Sequence, residues 1–362
     1  MAIEWIAGNR IRGTSTERTT TSGFTQVSAV SGGWKELGRT TLGSNGDDVT
    51  VSSLADKRYY MILTHITDTG QANNRLRMGY SSVDSGSNYA YRNAVNGGSD
   101  GPSTTTDRID LTQDPADDDK FSVSYISNLS GKEKLAICHS VERGNNSGAG
   151  NVPARIEAVG KWVNTSNPLD VISHVNTSSG SYTTGTECVV LGYDPDDTHS
   201  DNFWEELADV TLGSDASEIS SGTITAKKYL WVQVYFHSAS NSNDVLVRFN
   251  NDTGSNYAHR HAINYGSDTT QTSGSSIKLI DRNSTADTGR FVNFFAINNS
   301  ANEKLLIAHG MEEETSGAGN PPTSNECVAK WANTSSQITE IDCFTESGNL
   351  RSGARLRVWG SN

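Results

Sequence analysis

His139 and His309 are the two histidines that hold matching places in an internal repeat, so chemistry is weighed there first. A matched imidazole pair could serve as a base or as paired metal ligands. Neither histidine has a Ser or Cys nucleophile with a local signature beside it, and no His-x-x-x-His spacing offers a metal-binding face. Each is expected to close a strand just ahead of a loop and to hydrogen-bond that loop's backbone. Arg92 and Arg260 follow a Gly-Ser-Asn-Tyr turn, while Glu157 and Glu326 precede Lys161-Trp162 and Lys330-Trp331. Cation–carboxylate bonds among such groups would pin loops to sheets. The competing chemistry is a shallow sugar site, in which Trp162 or Trp331 stacks on a pyranose face and Asn and Asp side chains hold hydroxyls. The loops Ser147-Gly148-Ala149-Gly150-Asn151 and Ser316-Gly317-Ala318-Gly319-Asn320 have the glycines of a phosphate cradle. They lack its Lys-Ser/Thr and its strand–helix setting. The acidic runs Asp114–Asp119 and Asp194–Asp201 lack the glycine and distal Glu of a twelve-residue calcium loop, and are expected to be solvated. No pair of carboxylates can be placed across a cleft for glycoside chemistry. The expectation is a protein that is not an enzyme and that carries no metal or cofactor.

The elements that position these residues occur twice. Trp34 to Tyr193 reappears, reworded, as Trp204 to Ser361, 170 residues later at the start. Leu42-Gly43-Ser44 matches Leu212-Gly213-Ser214, and Gly86-Ser87-Asn88-Tyr89 matches Gly254-Ser255-Asn256-Tyr257. Glu133-Lys134-Leu135 matches Glu303-Lys304-Leu305, and Lys161-Trp162 matches Lys330-Trp331. Solenoid repeats run to about 20–50 residues, so this period is that of a whole domain. Residues 1–33 have no second copy and read as an N-terminal arm. Residues 34–194 form the first domain, 195–203 a polar linker with a Pro, and 204–362 the second domain.

The strong segments alternate with period two. Leu230, Val232, Val234 and Phe236 face one way, and Trp231, Gln233, Tyr235 and His237 the other. Strands are expected at Tyr59–Ile66, Phe121–Ile126, Lys134–His139 and Glu187–Leu191 in the first copy. In the second they are expected at Tyr229–His237, Val245–Phe249, Phe291–Ile297, Lys304–His309, Ile338–Phe344 and Leu356–Trp359. Clusters of Gly, Ser, Asn and Asp separate these runs. No convincing helical period is present. The pattern predicts an all-β chain of two tandem jelly-roll-like β-sandwich domains.

The net charge of −13 disfavours nucleic acid, which needs a basic stripe. No apolar run approaches the roughly 20 residues of a membrane span. The N-terminus lacks the basic and apolar regions of a signal peptide, so synthesis in a cytoplasm is expected. Cys138, Cys188, Cys327 and Cys343 fall at non-equivalent repeat positions. A disulfide or zinc site of the ancestral domain would have left matched pairs, so all four are expected as buried or half-buried thiols.

The string from Val247 to Tyr257, Val-Arg-Phe-Asn-Asn-Asp-Thr-Gly-Ser-Asn-Tyr, is followed by Val328-Ala329-Lys330-Trp331-Ala332-Asn333-Thr334-Ser335. Together they resemble a module of virion proteins of tailed bacteriophages, especially aquatic ones. Gly185 to Tyr193 is similar to that module's last strand, and Glu4 to Ile11 resembles its lead-in. The resemblance spans nearly the whole chain. The first copy departs from it, since Met78 to Gly86 carries extra residues and lacks the Asn-Asp-Thr. It implies a non-enzymatic β-sandwich protein on the virion, made in the host cytoplasm. Capsid decoration (cement) or a head protrusion is favoured. Partners would be further copies of the chain and other virion proteins, either the major capsid protein or tail proteins. The arm would dock through Trp5 and Ile6. One alternative is a tail-fibre or receptor-binding protein that holds a host-surface glycan at Trp162 or Trp331. Another is a double jelly-roll capsid protein.

Overall fold

The computed structural model describes residues 33–112, 118–144, 146–195, 197, 199, 201–237, 244–281, 288–313 and 317–362. Trp5, Ile6 and the rest of the arm before residue 33 lie outside them. The described chain is all β, with no helix.

Two eight-stranded sheets repeat one strand order. The first runs Lys35–Thr41, Glu187–Tyr193, Tyr59–Ile66, Lys120–Ser127, Lys134–Glu142, Ala154–Trp162, Tyr89–Val95, Gly101–Thr106. The second runs Glu205–Thr211, Arg355–Ser361, Tyr229–His237, Gly289–Ile297, Lys304–Glu312, Thr323–Trp331, Tyr257–Ile263, Thr269–Gly274. All neighbours are antiparallel. Each large sheet is backed by a smaller one. In the first half this is Asp48–Val51, Val171–Val175, Arg75–Tyr80 and Ser82–Val83, with Ile109–Asp110 beside Arg75–Tyr80. In the second it is Glu218–Ser220, Ile341–Thr345, Val245–Phe249 and Ile277–Ile280. The result is two tandem β-sandwiches. Their strands fall on either side of residues 195–203, where Lys57 holds Asp197 at 2.6 Å and the backbone N–H of Phe203 donates to Trp34 O at 2.7 Å.

Three apolar clusters form, not two. Tyr60, Ile62, Ile126, Ala136 and Trp162 fill the first sandwich, and Leu230, Val232, Phe294, Leu306 and Trp331 fill the second. The third joins the sandwiches, with Met61, Leu63, Phe121, Val123, Val141 and Val189 against Tyr229, Phe295, Ile297, Leu305, Ile307 and Val328. Side chains alternate along a strand, so the large sheets bury one face on their own small sheet and much of the other on the neighbouring sandwich. This explains the near-continuous apolar run Tyr60-Met61-Ile62-Leu63, a pattern proper to a strand covered on both faces.

The largest departures from the expected strand bounds, three residues each, fall at three strand ends. Lys134–Glu142 and Lys304–Glu312 run three residues past the histidines, because Ser140 to Glu142 pair with Ser122 to Lys120 and Gly310 to Glu312 pair with Val292 to Arg290. His139 and His309 are therefore mid-strand. The strand expected from Ile338 begins at Ile341 instead. Asn298 Oδ1 accepts the N–H of Ile338 and Asn250 Oδ1 those of Thr339 and Glu340, so side chains take the place of the ladder.

Candidate functional site

The repeated Asp-x-Gly-x-Asn-Tyr segments build a corner in each sandwich. Asp84 accepts hydrogen bonds from the Gly86 N–H at 2.8 Å, Asn88 Nδ2 at 2.9 Å and Trp162 Nε1 at 2.8 Å. Asp252 accepts the same three from Gly254, Asn256 and Trp331, the last at 2.7 Å. Partial burial pushes both carboxyls up, but the donated hydrogen bonds outweigh it and hold them below the usual carboxylate range. Tyr89 and Tyr257 complete the corners by donating to the carbonyls of Met78 and Phe249. The first copy thus keeps the second's motif, with Asp84 in the place of Asp252.

This corner corrects the sugar-site expectation. Trp162 and Trp331 are each about 1% exposed, locked among Tyr and Phe rings or core side chains, and offer no face to a pyranose. A polar depression of about 350 Å³ lies beside the first corner, lined by Tyr80, Ser82, Asp84, Asn164 and Asn167 among others. Its Asp84 oxygens are already engaged by the three donors above.

The two histidines meet. His139 and His309 pack edge to face across the junction of the sandwiches, with ring centroids 4.4 Å apart. Strand register sets Glu157 beside His139 and Glu326 beside His309. Arg155 lines the same spot, bonding Glu157 at 2.7 Å and, across the junction, Asp268 at 2.6 Å. Together with Ser140, Cys327 and the two histidines, it surrounds a cavity of about 10 Å³, room for one water. His139 Nδ1, His309 Nε2 and Glu326 Oε2 are buried with no hydrogen-bond partner among the described residues. Burial drives the His139 pKa down to about 3, assisted by His309 and Arg155. Burial lowers His309 as well, with Arg155 adding to it and Glu157 opposing. Glu326 is raised, by burial first and by Glu157 second. Ser140 and Cys327 share this water-sized void with two neutral imidazoles, and it offers no substrate-sized space. Among the described residues no three His, Cys, Asp or Glu side chains gather as a metal would require.

The other polar contacts of the junction are one-sided. Glu187 accepts from Thr41, Arg39 and, across the junction, Lys228 at 2.9 Å and Tyr229 at 2.8 Å. Burial raises its carboxyl, and these donors more than reverse the shift. Lys330 Nζ donates to the carbonyls of Arg143 and Asn146, and Arg260 Nε to that of Pro153. The Gly148 N–H bonds Glu303, and Ala149 O accepts from Ser273. The first Ser-Gly-Ala-Gly-Asn loop is thus a docking loop for the second sandwich.

Other sequence candidates resolve individually. Arg92 pairs with Asp100, and Lys161 with Glu133. Residues 114–117 of the first acidic run are outside the described residues. Its end is not solvated as expected, for Asp118 and Asp68 both hold buried Lys120 at 2.7 Å. Residues 196, 198 and 200 of the second run are also undescribed. All four cysteines are free and buried, and burial pushes Cys138, Cys188 and Cys327 up to about 12.

No family model matches the chain, and no curated protein matches it. Among solved structures, the mouse laminin alpha1 chain, domains LG4-5, aligns over 89% of this chain and 88% of that chain. Identity is 11% and the TM-score 0.20, a likeness with no bearing on fold or function.

Proposed function

We propose that the chain is a non-enzymatic structural protein on the outside of a phage particle, as a capsid decoration or head-protrusion subunit. The observation that supports a structural role is the junction itself. Two sandwiches share a third apolar cluster, and the matched histidines meet at the same junction, held neutral by burial. A chain kept for its surfaces needs that rigidity; a chain kept for chemistry would hold such residues at an open cleft. Placement on a virion rests on the sequence resemblance. The test is protein stoichiometry in purified particles of the phage that encodes the chain. Hundreds of copies relative to the major capsid protein support decoration, and a dozen or so support a vertex or tail appendage. Absence from purified particles refutes the proposal.

A further inference from the structure

The junction uses one half of each large sheet's outer face and leaves the other half open. Strand register makes Leu135, Ile137 and Val159 of the first sandwich the counterparts of Leu305, Ile307 and Val328 of the second. The first three are 51–56% exposed, while the second three are at most 4% exposed. The opposite holds at the other ends of these strands. Phe121 and Val141 are at most 1% exposed, whereas their counterparts Phe291 and Met311 are 37–39% exposed. Tyr235, paired with Phe291, is exposed too.

The polar contacts divide in the same way. Lys330 and Glu303 reach across the junction, but their counterparts Lys161 and Glu133 bond only each other, at 2.8 Å and half-exposed. Within the chain, then, the Leu305/Ile307/Val328 patch is covered in one cluster with Phe121 and Val141. Each chain also displays an open version of both partners. The first sandwich carries the apolar patch and the second carries the surface that covers it.

We infer that a second copy of this chain docks here, head to tail. The open patch Leu135, Ile137 and Val159 of one copy packs on Phe291 and Met311 of the next and repeats between chains the junction made within each. Such a contact is heterologous: two different surfaces meet, and each copy retains one of each, so assembly continues into rings or filaments. The inference goes beyond the virion proposal and stands without it.

Sedimentation velocity of the full chain across about 1 to 100 µM, a span that brackets a micromolar Kd, tests it. Species larger than the monomer are expected to grow with concentration. Ile137→Asp and Phe291→Asp each remove one surface, and each is expected to weaken self-association at least about thirtyfold, as loss of an interface hot spot does. An equimolar mixture of the two variants should yield a capped heterodimer, since one intact patch and one intact cover remain between them. Both side chains are substantially exposed, and circular dichroism verifies folding; Ile137→Ser and Phe291→Ser repeat the test more gently. Four results overturn the inference: a monomer at every concentration, assembly that survives both substitutions and so belongs to another surface, loss on Ile137→Asp but not on Phe291→Asp, or a mixture that remains monomeric.

Discussion

Acid should unfold this protein through its buried histidines. Burial drives His65, His139, His174 and His259 each down to about 3. In the unfolded chain each sits near 6.5. A folded pKa below the unfolded one means that the unfolded state binds the proton first. Stability is full above about pH 6.5 and falls as pH drops toward 3. At pH 4 each histidine then costs about 3 kcal/mol relative to pH 7. Four of them together match the entire stability of an ordinary domain, about 5–15 kcal/mol. Asp68 opposes this: burial outweighs the attraction of Lys120 and raises it to about 6, so its protonation recovers about 2–3 kcal/mol on the way down. Several kcal/mol of net loss remain. Urea unfolding followed by tryptophan fluorescence at pH 7, 5.5 and 4 measures it. The decisive variant is His139→Gln. Whatever it costs at pH 7, it removes one titrating group, so the loss between pH 7 and 4 should shrink by about 3 kcal/mol. An unchanged pH dependence in that variant would refute the burial argument.

Two further outcomes follow from the corners and the junction. Trp331→Phe removes the indole N–H that bonds Asp252 at 2.7 Å, and a cost of about 1–3 kcal/mol is expected in the urea midpoint. An effect no larger than that of a surface substitution would mean that the corner does not depend on this bond. Glu187→Gln discharges a buried acceptor of Arg39, Lys228 and Tyr229, and should cost about 3 kcal/mol. Arg355, its counterpart in the second sandwich, is exposed and pairs only within that sandwich, with Asp209. Arg355→Gln should leave the midpoint unmoved, and equal effects of the two substitutions would contradict the one-sided junction.

The strands were legible because alternation is local. Tyr59–Ile66, Tyr229–His237 and Val245–Phe249 have the bounds that period-two reading assigns them. The sandwich class followed, since such strands must stack to bury one face. Strand order was not legible, because register between distant strands leaves no local mark. The corner roles of Asp84 and Asp252 were missed for a different reason. The copies match at Gly-Ser-Asn-Tyr, and the missing Asn-Asp-Thr of the first copy draws attention away from the physical signal, the identical Asp-x-Gly-x-Asn spacing at 84–88 and 252–256, each with a Trp to donate. Asp118 read as part of a charged loop, yet Lys120 two residues on lies on the same face, and its ammonium draws Asp118 and Asp68 inside.

The meeting of His139 and His309 has the geometry a duplication imposes. When two copies of one sandwich pack through the same face, residues near the relating axis contact their own counterparts, and all other contacts come in related pairs. His139 on His309 is the first kind. Glu187 on Tyr229 should be one of a pair, with position 355 on Tyr59 as the other. Position 355 is Arg and bonds Asp209, and Tyr59 is exposed. The second member of that pair has diverged away from the junction inside the chain. A junction with only one of its two halves closed leaves apolar surface that water must cover, and soluble chains keep such surface where something docks on it. The substitutions that broke the internal symmetry leave Leu135, Ile137 and Val159 open on the first sandwich and Phe291 and Met311 open on the second, the surfaces that sedimentation of Ile137→Asp and Phe291→Asp would probe.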